Sequence, residues 1–223
     1  MSRKYLLVGL VVVALAALGG AAWYVFFGGS SESAIPDASH AQPVTITSFD
    51  RTMGSPKAPI QVVEYAAPSC PHCAHFDMEE FPLLKQKFID TGKVFYVLRV
   101  FPLSPADVAA GAIARCLPPD SYFQFLDLLW RNQPKWDPEY RVADVHEGLV
   151  EVGRIAGMSE QKVDSCIANQ AVSQKITAVG EDATTKYGIN SVPTFVVNGE
   201  VRQFMSGWDD MQAYLNGLLK KKK

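Results

Sequence analysis

The order of predicted strands and helices constrains this chain more than any other sequence feature. Ile60–Ala66 predicts a short strand, a helical pattern of apolar residues runs from about Cys73 to Phe88, and Val94–Phe101 predicts a second strand. Pro82 lies inside the helical pattern and predicts a kink or a break there. A strand, a helix and a strand in this order favour two parallel strands, so the sequence predicts an α/β sheet domain.

A block of helical patterns separates this early unit from a late hairpin. Helices are predicted at residues 106–117, 122–130, 142–156, 160–167 and 172–187. Val192–Val197 and Val201–Met205 then flank Asn198-Gly199, a dipeptide typical of a two-residue hairpin turn, before a last helix at 209–219. We therefore expect a small sheet domain, residues 49–103 and 188–219, with an all-helical insertion at residues 104–187.

The N-terminal segment predicts a membrane anchor. Tyr5–Phe27 has no charged residue and no proline, and its 23 residues span roughly 35 Å as a helix, enough for a ~30 Å hydrocarbon core. Arg3 and Lys4 precede it, which favours a cytoplasmic N-terminus and export of the remaining chain. We expect an uncleaved anchor within residues 1–28, and a signal peptide cleaved near Gly19–Ala22 is the alternative. Both place the domain in an oxidising compartment.

The flanking segments and the net charge limit the class of partner. Residues 29–48 are rich in small and turn-forming residues and predict a tether, although Val44–Ile46 also fits an arm packed on the domain. Residues 220–223 are four lysines and predict a solvated tail, with contact to anionic lipid as the alternative. The net charge of −2 becomes −8 without these lysines, Arg3 and Lys4. Such an acidic body argues against nucleic acid as the main partner.

The cysteine motif Cys70-Pro71-His72-Cys73 stands where a predicted strand ends and a predicted helix begins. A zinc site normally needs a second matched cysteine pair, and the other two cysteines are isolated from each other in sequence. A purely structural disulfide within the motif closes too small a loop to contribute much stability. We therefore favour thiol–disulfide exchange, and we expect no metal and no cofactor apart from the redox-active disulfide itself.

The position of the motif predicts different roles for its four residues. The positive end of the helix dipole favours a thiolate at Cys70, which we expect to be the exposed, attacking sulfur. Cys73, one turn further along, is expected to be shielded and to resolve the mixed disulfide. His72 adds a titratable positive charge beside the thiolate, although it also fits a simple exposed position, and Pro71 makes the turn rigid.

Three features together resemble the DsbA-like thiol–disulfide oxidoreductases of the thioredoxin superfamily. They are the motif Cys70–Cys73 after a strand, the helical insertion, and the late strand that begins with Ser191-Val192-Pro193-Thr194. The resemblance extends over about residues 53–219. It implies a thioredoxin-like fold with an inserted helical subdomain, here preceded by one transmembrane helix, located in the bacterial periplasm or at the exterior of the cell envelope.

The resemblance also implies roles for residues outside the cysteine motif. Val192–Pro193 is expected to form a cis peptide that faces the cysteines and binds an extended substrate chain, with a trans proline as the alternative. Glu64 is expected to be a buried acid that moves the proton of Cys73, with a solvent-facing carboxylate at an edge strand as the alternative. A buried carboxyl group has a raised pKa and can act as a base near neutral pH.

The implied activity is the introduction of disulfide bonds into newly exported proteins. The implied partners are unfolded cysteine-containing proteins and a quinone-linked membrane reoxidase of the DsbB or vitamin-K-epoxide-reductase type. An isomerase or a reductase is the alternative within this chemistry. Related isomerases usually carry a dimerisation domain, for which the roughly 20 residues of the tether leave no room. A non-catalytic thioredoxin-like chaperone or binding module is the alternative from another class.

The helical insertion contains two further cysteines and two tryptophans of interest. In an oxidising compartment we expect a structural disulfide between Cys116 and Cys166, and two buried free thiols or a second redox pair are the alternatives. A closed loop of some 50 residues stabilises by about 4 kcal/mol in the chain-entropy description. Trp130 and Trp136 predict either the core and rim of the insertion or an exposed aromatic patch that receives unfolded substrate.

Overall fold

The computed structural model describes residues 44–204 and 207–221 of the chain. The predicted anchor at residues 1–28, most of the predicted tether and the last two lysines lie outside these ranges. Within the described residues, no helix is both long enough and apolar enough to cross a membrane.

The strands of this part form one five-stranded sheet. They are β1 (Arg51–Met53), β2 (Ile60–Ala66), β3 (Val94–Val100), β4 (Thr194–Val197) and β5 (Glu200–Arg202), in the spatial order β1-β3-β2-β4-β5. β2 and β3 are parallel, as the strand–helix–strand order predicts, and the other three pairings are antiparallel. The two longest strands thus lie next to each other at the centre of the sheet.

The helices occupy the chain between β2 and β3, between β3 and β4, and after β5. They are α1 (Pro71–His75), α2 (Phe81–Leu84), α3 (Pro105–Cys116), α4 (Tyr122–Arg131), α5 (Gln133–Trp136), α6 (Val145–Ile155), α7 (Glu160–Ile167), α8 (Gln170–Tyr187) and α9 (Trp208–Lys221). Helices α3 to α8 form the predicted insertion between the third and fourth strands. The thioredoxin-like α/β fold with a helical insertion is therefore confirmed.

The helix after β2 is broken where the sequence places a proline. Two π-helical turns, Phe76–Glu80 and Lys85–Ile89, follow α1 and α2, so the residues from 71 to 89 are helical with shifts in hydrogen-bond register. Pro82 lies in the first turn of α2 and has no N–H to donate. The wider turn before it absorbs this defect, since the Phe81 N–H donates to the carbonyl of Phe76, five residues earlier.

Several predicted boundaries are wrong by a few residues. The strand predicted from Val192 begins only at Thr194, and the strand predicted over Val201–Met205 ends at Arg202, with Met205 outside the described residues. The helix predicted from residue 142 begins at Val145, because the Asp144 carboxylate accepts hydrogen bonds from the first free N–H groups. Strand β1 had no recognisable pattern, since three residues are too few for a periodic signal.

The hairpin turn agrees with its sequence signal. Asn198 and Gly199 have positive φ angles of 50° and 93°, the left-handed conformation that Asn and Gly tolerate. The Asn198 side chain also accepts a hydrogen bond from the Gln61 N–H at 2.8 Å, which links the turn to the beginning of β2. The hairpin is thereby held against the central strand.

The sheet has a buried cluster on each face. One face carries Glu64, Tyr96 and Phe195 and is covered by the helical run after β2, most of the insertion and α9. The other face carries Val63 and Tyr65 and is covered by α8 and by the entering segment around Val44, which is buried without forming a strand. Successive side chains of one strand therefore lie alternately in one buried cluster and in the other.

Cys116 and Cys166 form a disulfide that joins α3 to α7, with their Cα atoms 5.9 Å apart. The expected pairing is confirmed. The disulfide closes a loop across 50 positions of the sequence and lies at the edge of the large buried cluster, where Cys166 is buried and Cys116 is partly buried. The disulfide therefore links two helices within the insertion.

Removing this disulfide should destabilise the domain strongly. In a background that carries C70S and C73S, the double substitution C116A/C166A is expected to lower the free energy of unfolding by about 4 kcal/mol, because the unfolded chain regains loop entropy. Urea unfolding of the two proteins measures the difference, and adding a reductant to the parent protein provides the matched control. A difference below about 1 kcal/mol would show that the loop constrains the unfolded chain little.

Candidate active site

Cys70 begins helix α1. Its backbone is extended, with φ −76° and ψ 118°, and its Sγ accepts a hydrogen bond from the Cys73 N–H at 3.2 Å. Pro71 follows at the first helical position, where a missing N–H removes no helical hydrogen bond. The motif therefore folds as a helix start in which a sulfur atom takes the place of the usual capping oxygen.

The two thiols are unbonded and both are buried. Cys73 is 0% exposed, as its predicted shielding requires, but Cys70 is only 4% exposed. The expectation of an exposed Cys70 is therefore wrong. The reason is the segment before β4, since the Cys70 thiol donates a hydrogen bond to the Val192 carbonyl at 3.5 Å, and the peptide bond between Val192 and Pro193 is cis, as expected.

The pKa values of the two thiols are shifted in opposite directions. The hydrogen bond with the Cys73 thiol and the backbone N–H groups of Cys73 and His72 outweigh burial and lower the pKa of Cys70 to about 7. Burial raises the pKa of Cys73 well above its ordinary value, and the neighbouring Cys70 and Glu64 charges add to this effect. At neutral pH about half of Cys70 is thiolate, whereas Cys73 holds its proton.

His72 contributes to this acidity through its backbone N–H. Its side chain is exposed and lines a groove together with His75. The electrostatic role expected for the imidazole therefore stays a prediction. His75 was not among the predicted site residues, although it lies three residues after His72 in the helix that starts at Cys70, a spacing that places both on one side of the helix.

Glu64 lies in the middle of β2 and is 1% exposed, so the alternative of a solvent-facing carboxylate is wrong. The Tyr96 hydroxyl, from β3, donates a hydrogen bond to its Oε2, while Oε1 is buried and has no partner within the described residues. Burial raises the pKa of Glu64 to about 8, and the charges of Asp77 and Cys70 reinforce the rise, against the Tyr96 hydrogen bond. Glu64 is therefore mostly protonated at neutral pH.

A groove of about 540 Å³ runs beside the cysteine motif. Its walls come from α1, the turn after it, the cis segment and the residues after β5, and they include His72, Phe76, Glu80, Val192, Pro193 and Phe204. The Gln203 side chain donates to the Ser191 hydroxyl at 2.7 Å and so ties the end of the hairpin to the cis segment. Gln203 and Phe204 lie after β5, inside the range predicted as a strand, and sequence reasoning did not identify them as site residues.

The helical insertion holds the loop that leads into Cys70. The Asp107 carboxylate, from α3, accepts hydrogen bonds from the Ser69 N–H at 2.7 Å and the Ser69 hydroxyl at 3.0 Å. The Trp130 indole N–H donates to the Ala67 carbonyl at 3.0 Å, and the Gln133 amide donates to the next carbonyl in the chain, at 2.8 Å. The loop before the reactive cysteine is therefore positioned by three helices of the insertion, α3, α4 and α5.

The tryptophans do not form a surface patch. Trp130 and Trp136 are both buried, and their indole N–H groups donate to the backbone of Ala67 and Leu129, respectively. The alternative of an exposed aromatic patch that receives substrate is wrong, because these rings support the loop before Cys70 and the interior of the insertion. The described residues also contain no group of three or more acidic, histidine or cysteine side chains that could hold a metal ion.

The family model described as thioredoxin matches residues 47–217. The chain belongs to the thioredoxin family. A Rickettsia bellii protein with the provisional name protein-disulfide oxidoreductase is 32% identical to this chain over 151 residues. These residues cover 67% of this chain and 57% of the relative, so the chain spans a little over half the length of the first curated relatives that it matches.

Disulfide bond formation protein D of Bacillus subtilis is 27% identical to this chain over 177 residues, which cover 76% of this chain and 77% of the relative. Among solved structures, alpha-DsbA1 of Wolbachia pipientis has a TM-score of 0.73 and 26% identity, covering 80% of this chain and 94% of that one. A protein-disulfide isomerase of Novosphingobium aromaticivorans has a TM-score of 0.66 and 25% identity, covering 75% and 97%. The structural neighbours of this thioredoxin-family chain are therefore DsbA proteins and their relatives.

Proposed function

We propose that this protein is a thiol–disulfide oxidoreductase that introduces disulfide bonds into newly exported proteins through Cys70 and Cys73. The observation that carries the proposal is the pair of unlike thiols at one helix start, of which Cys70 ionises near pH 7 and Cys73 does not. Exchange requires one sulfur that both attacks and leaves easily, and a second that stays protonated until it is needed. The relatives' names support the same chemistry.

The reaction begins with the disulfide form of the enzyme. A substrate thiolate attacks the Cys70 sulfur and forms a mixed disulfide, while the bond between Cys70 and Cys73 breaks and Cys73 leaves as a thiolate. A second thiolate of the substrate then attacks the substrate sulfur of the mixed disulfide and releases Cys70 as a thiolate. Two electrons pass from the substrate dithiol to the enzyme, and a substrate disulfide forms.

Glu64 supplies the proton for the first of these steps. Because it is mostly protonated at neutral pH, it can donate to Cys73 as that thiolate leaves, and it takes the proton back when the enzyme is reoxidised. A thiolate at Cys73 is strongly disfavoured by its burial, so an unassisted departure would be slow. The family resemblance supports the same role for Glu64.

Substrate is expected to bind in the groove beside Cys70. The cis peptide between Val192 and Pro193 forms part of the wall next to the reactive sulfur, and Phe76 and Phe204 supply apolar surface. An extended chain with a cysteine between apolar residues fits such a groove, because backbone polar groups and apolar surface are available together. His72 lines the same groove, and an electrostatic role for its imidazole remains a prediction.

The proposed compartment rests on the sequence of the N-terminal segment, and the proposed reoxidising partner rests on the family resemblance. An apolar segment at residues 5–27 preceded by basic residues supports anchoring in the inner membrane, with the domain in the periplasm or at the envelope exterior. An enzyme that gives up its disulfide must be reoxidised, and a quinone-linked membrane protein of the DsbB or vitamin-K-epoxide-reductase type is the proposed partner. The redox-active disulfide serves in place of a cofactor.

The direction of transfer has less support from the site than from the relatives. The pKa of Cys70, about 7, is similar to the roughly 7 of thioredoxin and far from the ~3.5 of DsbA. The positive charge expected of His72 favours a more strongly stabilised thiolate, but burial opposes the hydrogen bonds that lower the pKa of Cys70. The oxidising direction is supported by relatives named for disulfide bond formation.

Equilibration with glutathione determines this direction. We expect a reduction potential above about −200 mV, in the range of protein disulfide isomerase (~−180 mV) and DsbA (~−120 mV). A potential near the ~−270 mV of thioredoxin would instead favour a reductase. The C116A/C166A protein is the control, because its potential should equal that of the wild type if Cys70 and Cys73 alone exchange.

The activity itself is tested with a reduced peptide that contains two cysteines. The disulfide form of the wild-type domain should convert one equivalent of peptide dithiol to disulfide, and catalytic amounts should do so with glutathione disulfide as the terminal oxidant. The non-catalytic chaperone alternative predicts that the wild type oxidises no peptide. It also predicts that C70S/C73S prevents aggregation of a reduced protein as well as the wild type does. Such a result would replace the proposal.

A further inference from the structure

Tyr96 and Glu64 form a buried pair on neighbouring parallel strands. Glu64 lies opposite Leu98 in the register of β2 and β3, so Tyr96 is its diagonal neighbour, two residues away on the same face of the sheet. Tyr96 is 2% exposed, and its ring packs against Phe81 and Phe123, with centroid distances of 5.0 and 6.2 Å. Both side chains are therefore fixed by the core on the face that carries the cysteines.

The two carboxyl oxygens of Glu64 have different surroundings. Oε2 accepts the hydrogen bond of the Tyr96 hydroxyl, whereas Oε1 is buried without a partner among the described residues. An unpaired buried oxygen is costly and calls for an explanation. When Glu64 is neutral, its own proton must lie on the oxygen that is not already accepting from Tyr96, which is Oε1.

The charges around this pair are predominantly of one sign. Asp77 and Glu80 act on Glu64 from the π-helical turn after α1, Cys70 acts on it from the helix start, and Cys73 interacts with it from within α1. From α4, Tyr122 acts on Tyr96, and Asp127 contacts Asp77 beside Arg131. The Tyr96 hydroxyl is the group that directly opposes this negative surrounding at Glu64.

We propose that Tyr96 is a positioning residue for Glu64, which holds Oε2 and so leaves a transferable proton on Oε1 for exchange with Cys73. The inference rests on the proposed function for the identity of the proton's partner. When the Cys73 thiol attacks a mixed disulfide at Cys70 during reoxidation, its proton passes to Oε1 of the Glu64 carboxylate. A new sulfur–sulfur bond forms between the two cysteines, and the outgoing thiolate leaves.

Without the Tyr96 hydroxyl, two consequences follow for Glu64. Its carboxylate loses the one hydrogen bond that favours ionisation, so it ionises only at higher pH. Both of its oxygens then lack a hydrogen bond among the described residues, so the proton is no longer confined to Oε1. Tyr96→Phe keeps the ring and its packing and removes only the hydroxyl, which isolates both effects.

The experiment follows the carboxyl C=O stretching band of Glu64 by infrared spectroscopy between pH 5 and 10, with E64Q identifying the band. In Y96F the midpoint of its disappearance is expected to rise by about one pH unit, the effect of one hydrogen bond to a charged group. Y122F is the matched control, since Tyr122 is buried on α4 and its hydroxyl has no partner in the described residues. An unchanged midpoint in Y96F would overturn the inference.

The kinetic readout separates this inference from the proposed function. Closure of the mixed disulfide between Cys70 and glutathione should become faster as the pH rises. In Y96F the midpoint of this increase should move to higher pH by about the same amount as the midpoint of the band. Y96F added to E64Q should change the closure rate less than twofold, because the group that Tyr96 positions is gone. If the band shifts in Y96F but the wild type does not close the mixed disulfide, the proposed function is refuted and the positioning role stands. If Y96F slows closure in E64Q as much as it does in the wild type, the positioning role is refuted.

Discussion

Replacing Cys70 by serine is expected to lower the rate of peptide oxidation by at least about 1000-fold, because removing the nucleophile or its partner typically costs that much in covalent catalysis. Replacing Cys73 removes the thiol whose hydrogen bond lowers the pKa of Cys70 most, but the backbone N–H groups of residue 73 and His72 remain to stabilise a thiolate at Cys70. C73S should therefore still form mixed disulfides but should not release them by internal closure.

Peptide oxidation measured under identical conditions for the wild type, C70S and C73S tests this expectation. The C116A/C166A protein is the control, since it removes two cysteines at a site that joins α3 to α7 and leaves Cys70 and Cys73 in place. It should retain the wild-type rate at a temperature where it is fully folded. Comparable losses in this control and in C70S would mean that the insertion disulfide takes part in exchange.

Replacing Glu64 by glutamine should make the protein slower but more stable. Proton transfer by a positioned group typically contributes 10²–10⁴-fold, so closure of the mixed disulfide is expected to slow by about 100-fold at pH 7. The same substitution should raise the free energy of unfolding at pH 7 by about 3 kcal/mol. The stability gain arises because the folded state keeps Glu64 protonated at a pH where the unfolded chain ionises it.

The pH dependence of this gain has a definite sign. Glu64 has a pKa of about 8 in the folded protein, against an ordinary value of 4.5. Below pH 4.5 both states are protonated, and wild type and E64Q should be equally stable. Between pH 4.5 and 8 the unfolded wild type loses a proton that the folded protein keeps, so the stability of the wild type falls relative to E64Q, and above pH 8 the difference becomes constant.

Urea unfolding of both proteins at pH 4, 6, 7 and 9 measures this difference. E64D provides a control that keeps an ionisable group at the same place in β2. Equal stabilities of wild type and E64Q at all four pH values would mean that Glu64 ionises as it does in water, and it would then be unsuited to hold a proton for Cys73 at pH 7.

The sequence predicted the order of strands and helices along the chain but not the register between neighbouring strands. The strand–helix–strand unit, the insertion and the Asn198-Gly199 turn all follow from short-range patterns, and the structure confirms them. The pairing of Glu64 with Tyr96 depends on the register between β2 and β3, which no pattern within either strand encodes. Sequence therefore identified the buried acid through the family resemblance and missed the tyrosine that contacts it.

The burial of Cys70 was missed for a similar reason. A helix start next to a strand predicts an accessible sulfur, but the segment at Val192 covers it from 122 positions further along the chain. The hydrogen bonds that join Asp107 and Trp130 to the loop before Cys70 also connect residues far apart in the sequence. The chemistry of the site was thus predictable from the cysteine motif, whereas its solvation and support depend on tertiary contacts.

The central claim is that Cys70 and Cys73 form one redox pair in which Cys70 alone meets the substrate. Mass spectrometry of peptides after incubation of C73S and C70S with glutathione disulfide near pH 7 tests it most directly. We expect one glutathione bound at Cys70 in C73S within minutes, and none at Cys73 in C70S over the same time, because Cys73 is buried and protonated. Glutathione bound at Cys73 at a comparable rate, or no adduct at Cys70, would contradict the claim.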